Sequence, residues 1–301
     1  MAIAERFLKM TAYSFLQKMK NKLFYYPLCC LTAMLFCSAH SDPTFSCREL
    51  IDKMYANVLQ LKGLKYNLKL VERTDKKFNF FGSSVKLNRI PRKLYINANG
   101  VEVLWVQGKY NGDALVNPHA FPYINLHLDP QGTLMRQGQH HTINEMGFDY
   151  MSKIIVFFAS SAGDNFNSIF LPHGDEIING QDCFRIIINN PNFTFLNYTV
   201  QKGEDLVSIA RKLNVSEYMI LQANRPVVDD YKDLHTGQVI KVPSEYAKYV
   251  MIYIDKTNFL PIGVRIFDDQ GLFEQYDYHN VQVNPEFKSE EFTKEYKDYK
   301  F

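Results

Sequence analysis

Residues 198–243, YTVQKGEDLVSIARKLNVSEYMILQANRPVVDDYKDLHTGQVIKVP, read as one closed unit of strand, helix, helix and strand. Tyr198-Thr199-Val200 is a short strand that Gly203 breaks. Asp205 is placed to cap a helix whose apolar stripe is Leu206, Ile209, Ala210 and Leu213. Ser216 caps the next helix, with Val215 and Ile220 spaced as a hydrophobic staple across that cap. Gly237 then precedes a closing strand, Val239 to Val242, which Pro243 ends.

On both sides the period switches to two. Downstream run YVMIYID (249–255), LPIGVRIFD (260–268) and LFEQYDYHNVQV (272–283), joined by short turns at Lys256-Thr257-Asn258 and Asp269-Gln270-Gly271. Upstream, Cys183 to Ile188 is a strand. Earlier still, Tyr66/Leu68/Leu70, Val101/Val103/Trp105 beyond the turn Asn99-Gly100, and Ile124/Leu126/Leu128 alternate with polar residues. A helix opens the array, with Ser46 and Glu49 as a capping box and Leu50, Ile51, Met54, Tyr55, Val58 and Leu59 at helical spacing before Gly63. Thr142 with Glu145 marks a second helical stretch, and Tyr150 to Phe158 is apolar enough to lie across the sheet; the tail from Glu286 reads as a solvated helix or extended arm. The fold class is therefore α+β, an antiparallel sheet packed on helices with a compact βααβ insertion.

The N-terminus has a different composition. Leu23 to Ala39 is apolar and uncharged, follows the basic stretch Met19-Lys20-Asn21-Lys22, and ends in small residues, so 1–41 reads as a secretory signal peptide with Met19 fitting as the initiator. Cleavage fits after Ala39 or Ser41; an uncleaved anchor is the alternative. Phe36 before Cys37 argues against a lipidation signal. The remaining chain divides into 42–197, the insertion at 198–245, and 246–301. Charges nearly balance over 301 residues, with Lys+Arg 34 against Asp+Glu 32, so the basic stripe that nucleic acid requires is missing. Of five cysteines, only Cys47 and Cys183 survive export; they form one disulfide or stay as two separate buried thiols, and spacing does not decide which.

Residues 198–243 resemble a LysM module, the small βααβ glycan-binding domain. The resemblance runs through Tyr198-Thr199-Val200, Gly203-Glu204-Asp205-Leu206, Ile209-Ala210, Val215, Ile220 and Ala223-Asn224 to Leu234, Gly237-Gln238, Ile240 and Val242-Pro243. Departures are Glu204-Asp205 where Asp-Thr or Asp-Ser is usual, Arg225 between Asn224 and Pro226, and a long loop over 227–233. The likeness implies binding of an N-acetylglucosamine polymer such as peptidoglycan in a shallow groove. One wall would be Gly203, Glu204, Asp205 and Leu206, the other Asn224, Arg225, Pro226 and Val227. For folding alone, the acids are helix N-terminal charges and Asn224 a C-cap.

The flanking halves resemble more loosely an exported bacterial family of unknown function, on Val101–Gly108, Leu128-Asp129-Pro130, Gly132, His140-His141-Thr142-Ile143, Leu260-Pro261-Ile262 and Val283-Asn284-Pro285. This likeness implies a curved sheet wrapped on helices, as in the periplasmic lipoprotein carriers (LolA-like), able to hold a lipid or lipoprotein, and a place in the periplasm or cell envelope.

Chemistry is sparse in the motifs. The histidine-bearing segment, His119, His127, His140 and His141 with Glu145 and Asp149, is the best enzymatic candidate, but no HExxH spacing or G-x-S-x-G elbow is present. On a strand, His140 and His141 would face opposite ways. No catalytic residue, metal site or cofactor is expected. The leading reading is a non-catalytic envelope protein that docks on glycan; a lipid or lipoprotein carrier with the LysM incidental, and a cell-wall hydrolase, are the alternatives.

Overall fold

In the computed structural model, which describes residues 45–301, the chain starts on the capping box read from its sequence. Ser46 Oγ accepts from Glu49 N at 3.2 Å and Glu49 Oε2 accepts from Ser46 N at 2.8 Å, which fixes the first turn of α1 (Cys47–Gln60). Leu50, Ile51, Met54 and Val58 recur on one side of that helix and are buried. The export segment expected at 1–41, including Met19, lies outside the described residues.

Strands β1 (Gly63–Thr74), β2 (Lys77–Asn88), β3 (Lys93–Ala98), β4 (Val101–Val106), β5 (Ala114–Asn117) and β6 (Leu126–Leu128) pair as an antiparallel meander. Helices α2 (Thr133–Arg136), α3 (Asp149–Ser161) and α4 (Phe166–Ile169) follow, then β7 (Phe170–Ile178) and β8 (Gln181–Asn189). The insertion comprises β9 (Phe195–Thr199), α5 (Leu206–Leu213), α6 (Glu217–Asn224) and β10 (Val239–Pro243), and the chain ends through β11 (Tyr249–Asp255), β12 (Pro261–Asp268) and β13 (Gly271–Val283).

One sheet holds eleven strands in the order β6-β5-β4-β3-β2-β1-β13-β12-β11-β8-β7, while β9 and β10 form a separate pair. The early and late meanders join where β1 runs antiparallel to β13, from Leu64 opposite Val283 to Glu72 opposite Glu274. The sheet curves, so that strands from β12 round to β6 face one common space across from the segment 134–151. Helix α1 packs on α3, where Arg48 donates to the Ala159 carbonyl at 3.3 Å. The α+β class expected from the sequence, a curved antiparallel sheet packed on helices with an inserted βααβ module, is the one found.

The insertion leaves from β8 and returns into β11, which are neighbours in the sheet. Because β9 and β10 are themselves antiparallel, the module's two ends lie side by side and fit the tip of a hairpin. Asn190 N donates to Lys248 O at 2.9 Å and Ser244 N to Thr194 O at 2.8 Å, so the splice is hydrogen-bonded on both sides. Asp205 and Ser216 cap α5 and α6 as expected, and Val215 and Ile220 are buried.

Two expectations change, and of the two states left open for the cysteines the structure has the separate thiols. Cys47 and Cys183 do not pair; both are buried free thiols packed as small apolar side chains. Burial pushes the Cys183 thiol up to about 12, so it stays protonated. The Thr142–Glu145 capping box exists but closes only a single 3-10 turn, because Gly147 takes φ +96° and the chain restarts as α3 two residues later. The tail is not a free arm: Phe292 is buried with Tyr95, Leu104 and Leu115 on the outer face of the sheet, and Tyr299 stacks on Tyr95 with ring centroids 3.7 Å apart.

Candidate functional site

The inward faces of the strands do not meet a filled core everywhere. Ile96 lies opposite Val103, Val103 opposite Val116, and Val116 opposite Leu126, an apolar row that crosses four strands. A parallel row runs from Leu68 through Ser83 and Ala98 to Val101. These rows line a cavity of about 580 Å³ whose far side is built by Leu134, Met135, Ile143, Met146, Phe148 and Met151. Its size falls within the range of small-molecule sites, and its wall is predominantly apolar.

One end of this cavity is polar. Along β1 the inward face runs Leu68, Leu70, Glu72, and opposite on β13 it runs Tyr278, Tyr276, Glu274. Glu72 and Glu274 are both fully buried. Glu274 is the hub: His140 Nδ1 lies 2.8 Å and His141 Nε2 3.3 Å from its Oε1, while Tyr276 OH donates to Oε2 at 3.1 Å and Tyr246 OH at 3.2 Å. His140 Nε2 reaches Arg73 O at 2.9 Å. His141 Nδ1 stands 3.4 Å from Glu145 Oε2, within ion-pair reach. Burial alone would depress His141, but the Glu274 charge and the contacts with Glu145 and Glu274 outweigh it and raise its pKa well above the ordinary value. Burial likewise opposes ionisation of Glu274, yet His141 and the hydrogen bonds from both histidines hold it well below the usual carboxylate range. For Glu72 burial outweighs the pull of His140 and His141, and its pKa is raised.

His140 and His141 therefore sit in a loop rather than on a strand, and both reach one carboxylate. Of the other residues of that segment, Glu145 joins the cluster and lines the cavity, whereas Asp149 pairs with Arg89. His119 pairs with Glu102 at 2.9 Å, and His127 is exposed, edge-on to Tyr110. Among the described residues no group of three or more His, Cys, Asp or Glu side chains is arranged to hold a metal ion. Sequence reading missed Glu72, Glu274, Tyr246 and Tyr276. The signal was present for Glu72, since extending the Leu68/Leu70 alternation by two residues puts a carboxylate in an inward row.

The insertion abuts this polar end. The Tyr218 ring stacks on His140 with centroids 4.2 Å apart, and Arg136 of α2 pairs with Glu217 of α6 at 2.5 Å. At the β1–β2 turn, Asp75 N donates to Tyr218 OH at 3.0 Å and the Asp75 carboxylate pairs with Arg225.

The eight groove residues divide by duty. Glu204 is bound by Gln201 N at 2.9 Å, Tyr198 OH at 2.8 Å and Lys212 Nζ at 2.9 Å, and the backbone bond first, then Lys212, hold its carboxyl below the usual range. Asp205 Oδ1 accepts from Ser208 N at 2.7 Å as the helix cap, and Leu206 is buried. Leu206 N donates to Tyr231 O at 3.0 Å, tying the first turn to the loop before β10. Asn224 bridges α6 to β10, donating to the Ile220 and Lys241 carbonyls and accepting from Lys241 N at 2.8 Å. Gly203, at φ +81°, Pro226 and Val227 are exposed, as is Arg225, which leans to Asp75.

This capped βααβ unit matches the LysM domain family over residues 198–243. Residues 198–243 are a LysM domain. None of the curated proteins compared matches the chain. Solved structures similar to it include the Mycobacterium tuberculosis lipoprotein LppX, at 12% identity and TM-score 0.39, covering 82% of this chain and 99% of that one. A LolA superfamily protein from Nitrosomonas europaea is similar at 10% identity and TM-score 0.31, covering 83% and 98%. A DUF1329 family protein from Desulfovibrio piger is similar at 9% identity and TM-score 0.31, also covering 83% and 98%. Around the LysM domain, the strand pairing itself defines the sheet and its cavity.

Proposed function

We propose that the chain is a non-catalytic cell-envelope protein of bacteria in which the LysM domain docks on an N-acetylglucosamine polymer such as peptidoglycan, while the curved sheet holds an apolar chain of a lipid or lipoprotein. The cavity of about 580 Å³ enclosed by the curved sheet is the observation that carries this reading. Burying an acyl chain against such a wall gains roughly 0.8 kcal/mol per methylene. On the glycan side, the support is the match to the LysM family together with the exposure of Gly203 on one proposed wall and of Pro226 and Val227 on the other, which leaves an apolar side chain at Val227 open to a sugar's methyl. A single shallow groove binds weakly, so a repeating polymer suits it.

The test uses the whole chain. Wild-type protein should co-sediment with insoluble peptidoglycan, and Val227→Asp should reduce this while the circular dichroism spectrum is kept. Lipid extracted from the purified protein should disappear in Ile96→Trp, which fills the cavity from its wall. Lipid without sedimentation would favour the carrier reading with the LysM incidental; sedimentation without lipid would leave a glycan-binding protein only. His140 and Glu274 are fully buried, which supports a structural role for them. Clearing of peptidoglycan in a zymogram, lost in His141→Gln, would overturn the non-catalytic reading.

A further inference from the structure

The cavity has two chemically different ends, and the polar one carries information about the ligand. Glu72 lines it, is fully buried, and accepts from His140 N at 3.1 Å through Oε2, whereas its Oε1 has no hydrogen-bond partner among the described residues. A buried polar atom left unpaired costs roughly 1–3 kcal/mol, which a ligand group that pairs with it recovers. The cations around this end are already matched. His141 lies between Glu274 and Glu145, its Nδ1 in ion-pair reach of Glu145 at 3.4 Å though not hydrogen-bonded to it, Arg136 pairs with Glu217, and Arg73 pairs with Asp268. An anionic head group would meet carboxylates here without a cation left unpaired among the described residues, and in a buried setting that repulsion is only weakly screened.

We propose that the cavity selects an acyl-chain ligand whose polar end is uncharged and donates a hydrogen bond, an amide or a hydroxyl, with Glu72 Oε1 as its partner, and that it discriminates against free carboxylates. This rests on the reading of the cavity as an acyl-chain site. Burial opposes charge on Glu72 and raises its pKa, and a second carboxylate brought into the same space would meet the same desolvation cost. The chain then lies along Leu70, Leu68 and Ile96, away from the polar end.

Displacement of a fluorescent apolar dye from the full chain tests this with three probes of one chain length: dodecanamide, dodecanol and dodecanoate. Near neutral pH, dodecanamide and dodecanol should displace the dye about tenfold more effectively than dodecanoate, as expected for one paired buried group against one unpaired charge. Glu72→Leu should shrink that ratio to within about twofold, while the isosteric Glu72→Gln, the variant that keeps the fold if Leu does not, should retain dodecanamide within about threefold. Dodecanoate binding as well as dodecanamide overturns the proposal, as does a ratio that Glu72→Leu leaves unchanged in folded protein. If dye and all three probes fail to bind, the carrier reading itself falls; if the dye binds without head-group preference, only the present inference does.

Discussion

The LysM domain and the sheet that hosts it use the same apolar alphabet to opposite ends. In the LysM domain, Leu206, Ile209, Ala210, Val215, Ile220, Val228, Ile240 and Val242 are all buried within one short stretch of chain. In the sheet, the inward rows of Ile96, Val103, Val116 and Leu126 face a cavity instead of one another. Two-residue alternation says which face of a strand avoids water; it does not say whether that face meets side chains or space. The difference lies in span: the two helices and two strands of residues 195–243 close on one another, whereas a curved sheet of eleven strands encloses more volume than its own side chains fill.

The contact between the two regions offers the largest test. Glu274→Ala removes the hub that His140, His141, Tyr246 and Tyr276 share, leaving buried groups unmatched, and should cost about 3–5 kcal/mol in urea unfolding. A cost under about 1 kcal/mol would mean that the cluster rearranges freely.

Packing density comes next. Leu206→Ala in the filled LysM core should cost about 2–5 kcal/mol, whereas Leu70→Ala on the cavity wall should cost closer to about 1 kcal/mol, because Leu70 has fewer neighbours to lose. Equal costs by chemical denaturation would erase the contrast between filled and open regions.

A pH series sharpens the same contact. His141 is raised in the folded state, so its stabilisation is complete below its ordinary value of 6.5 and is lost as pH rises through the folded value. Glu274 is lowered, so its stabilisation is present above its ordinary value of 4.5 and is lost as pH falls through the folded value. The advantage of wild type over His141→Gln in unfolding free energy should therefore be greatest between these two values and shrink toward alkaline pH. An advantage that grows with pH would contradict the ion pairing.

The smallest effect belongs to the exposed stitch between the β1–β2 turn and α6. Asp75→Ala breaks the pair with Arg225 and should change stability by about 0–1 kcal/mol, since both side chains are partly solvated. A larger loss in thermal unfolding would show that this turn holds the LysM domain in place.

Legibility followed the range of the interactions. The caps at Ser46, Asp205 and Ser216 were readable because cap and partner lie within three residues of each other. Strand β2 was not readable: Lys77 to Phe80 are largely outward and Gly82, Ser83 and Ser84 interrupt the pattern, so only pairing with β1 identifies it. β7 was missed as well, an edge strand carrying Pro172 and Gly174 with its register shifted between Pro172 and Asp175. At the groove, residue type located Gly203 and Asn224, but hydrogen bonding over 17 residues assigned Asn224 to holding α6 on β10.

By itself the sequence determined the LysM domain, the opening helix and the α+β class, since these follow from caps, turns and periodicities that act over a few residues. Tertiary structure decided the rest. That Glu72 and Glu274 face each other across β1 and β13, that two adjacent histidines converge on one carboxylate 134 residues from His140, and that the inward rows border a cavity closed by a later segment all depend on contacts between parts of the chain far apart in sequence. No local preference encodes such pairing, because it is the burial of the whole sheet that selects it.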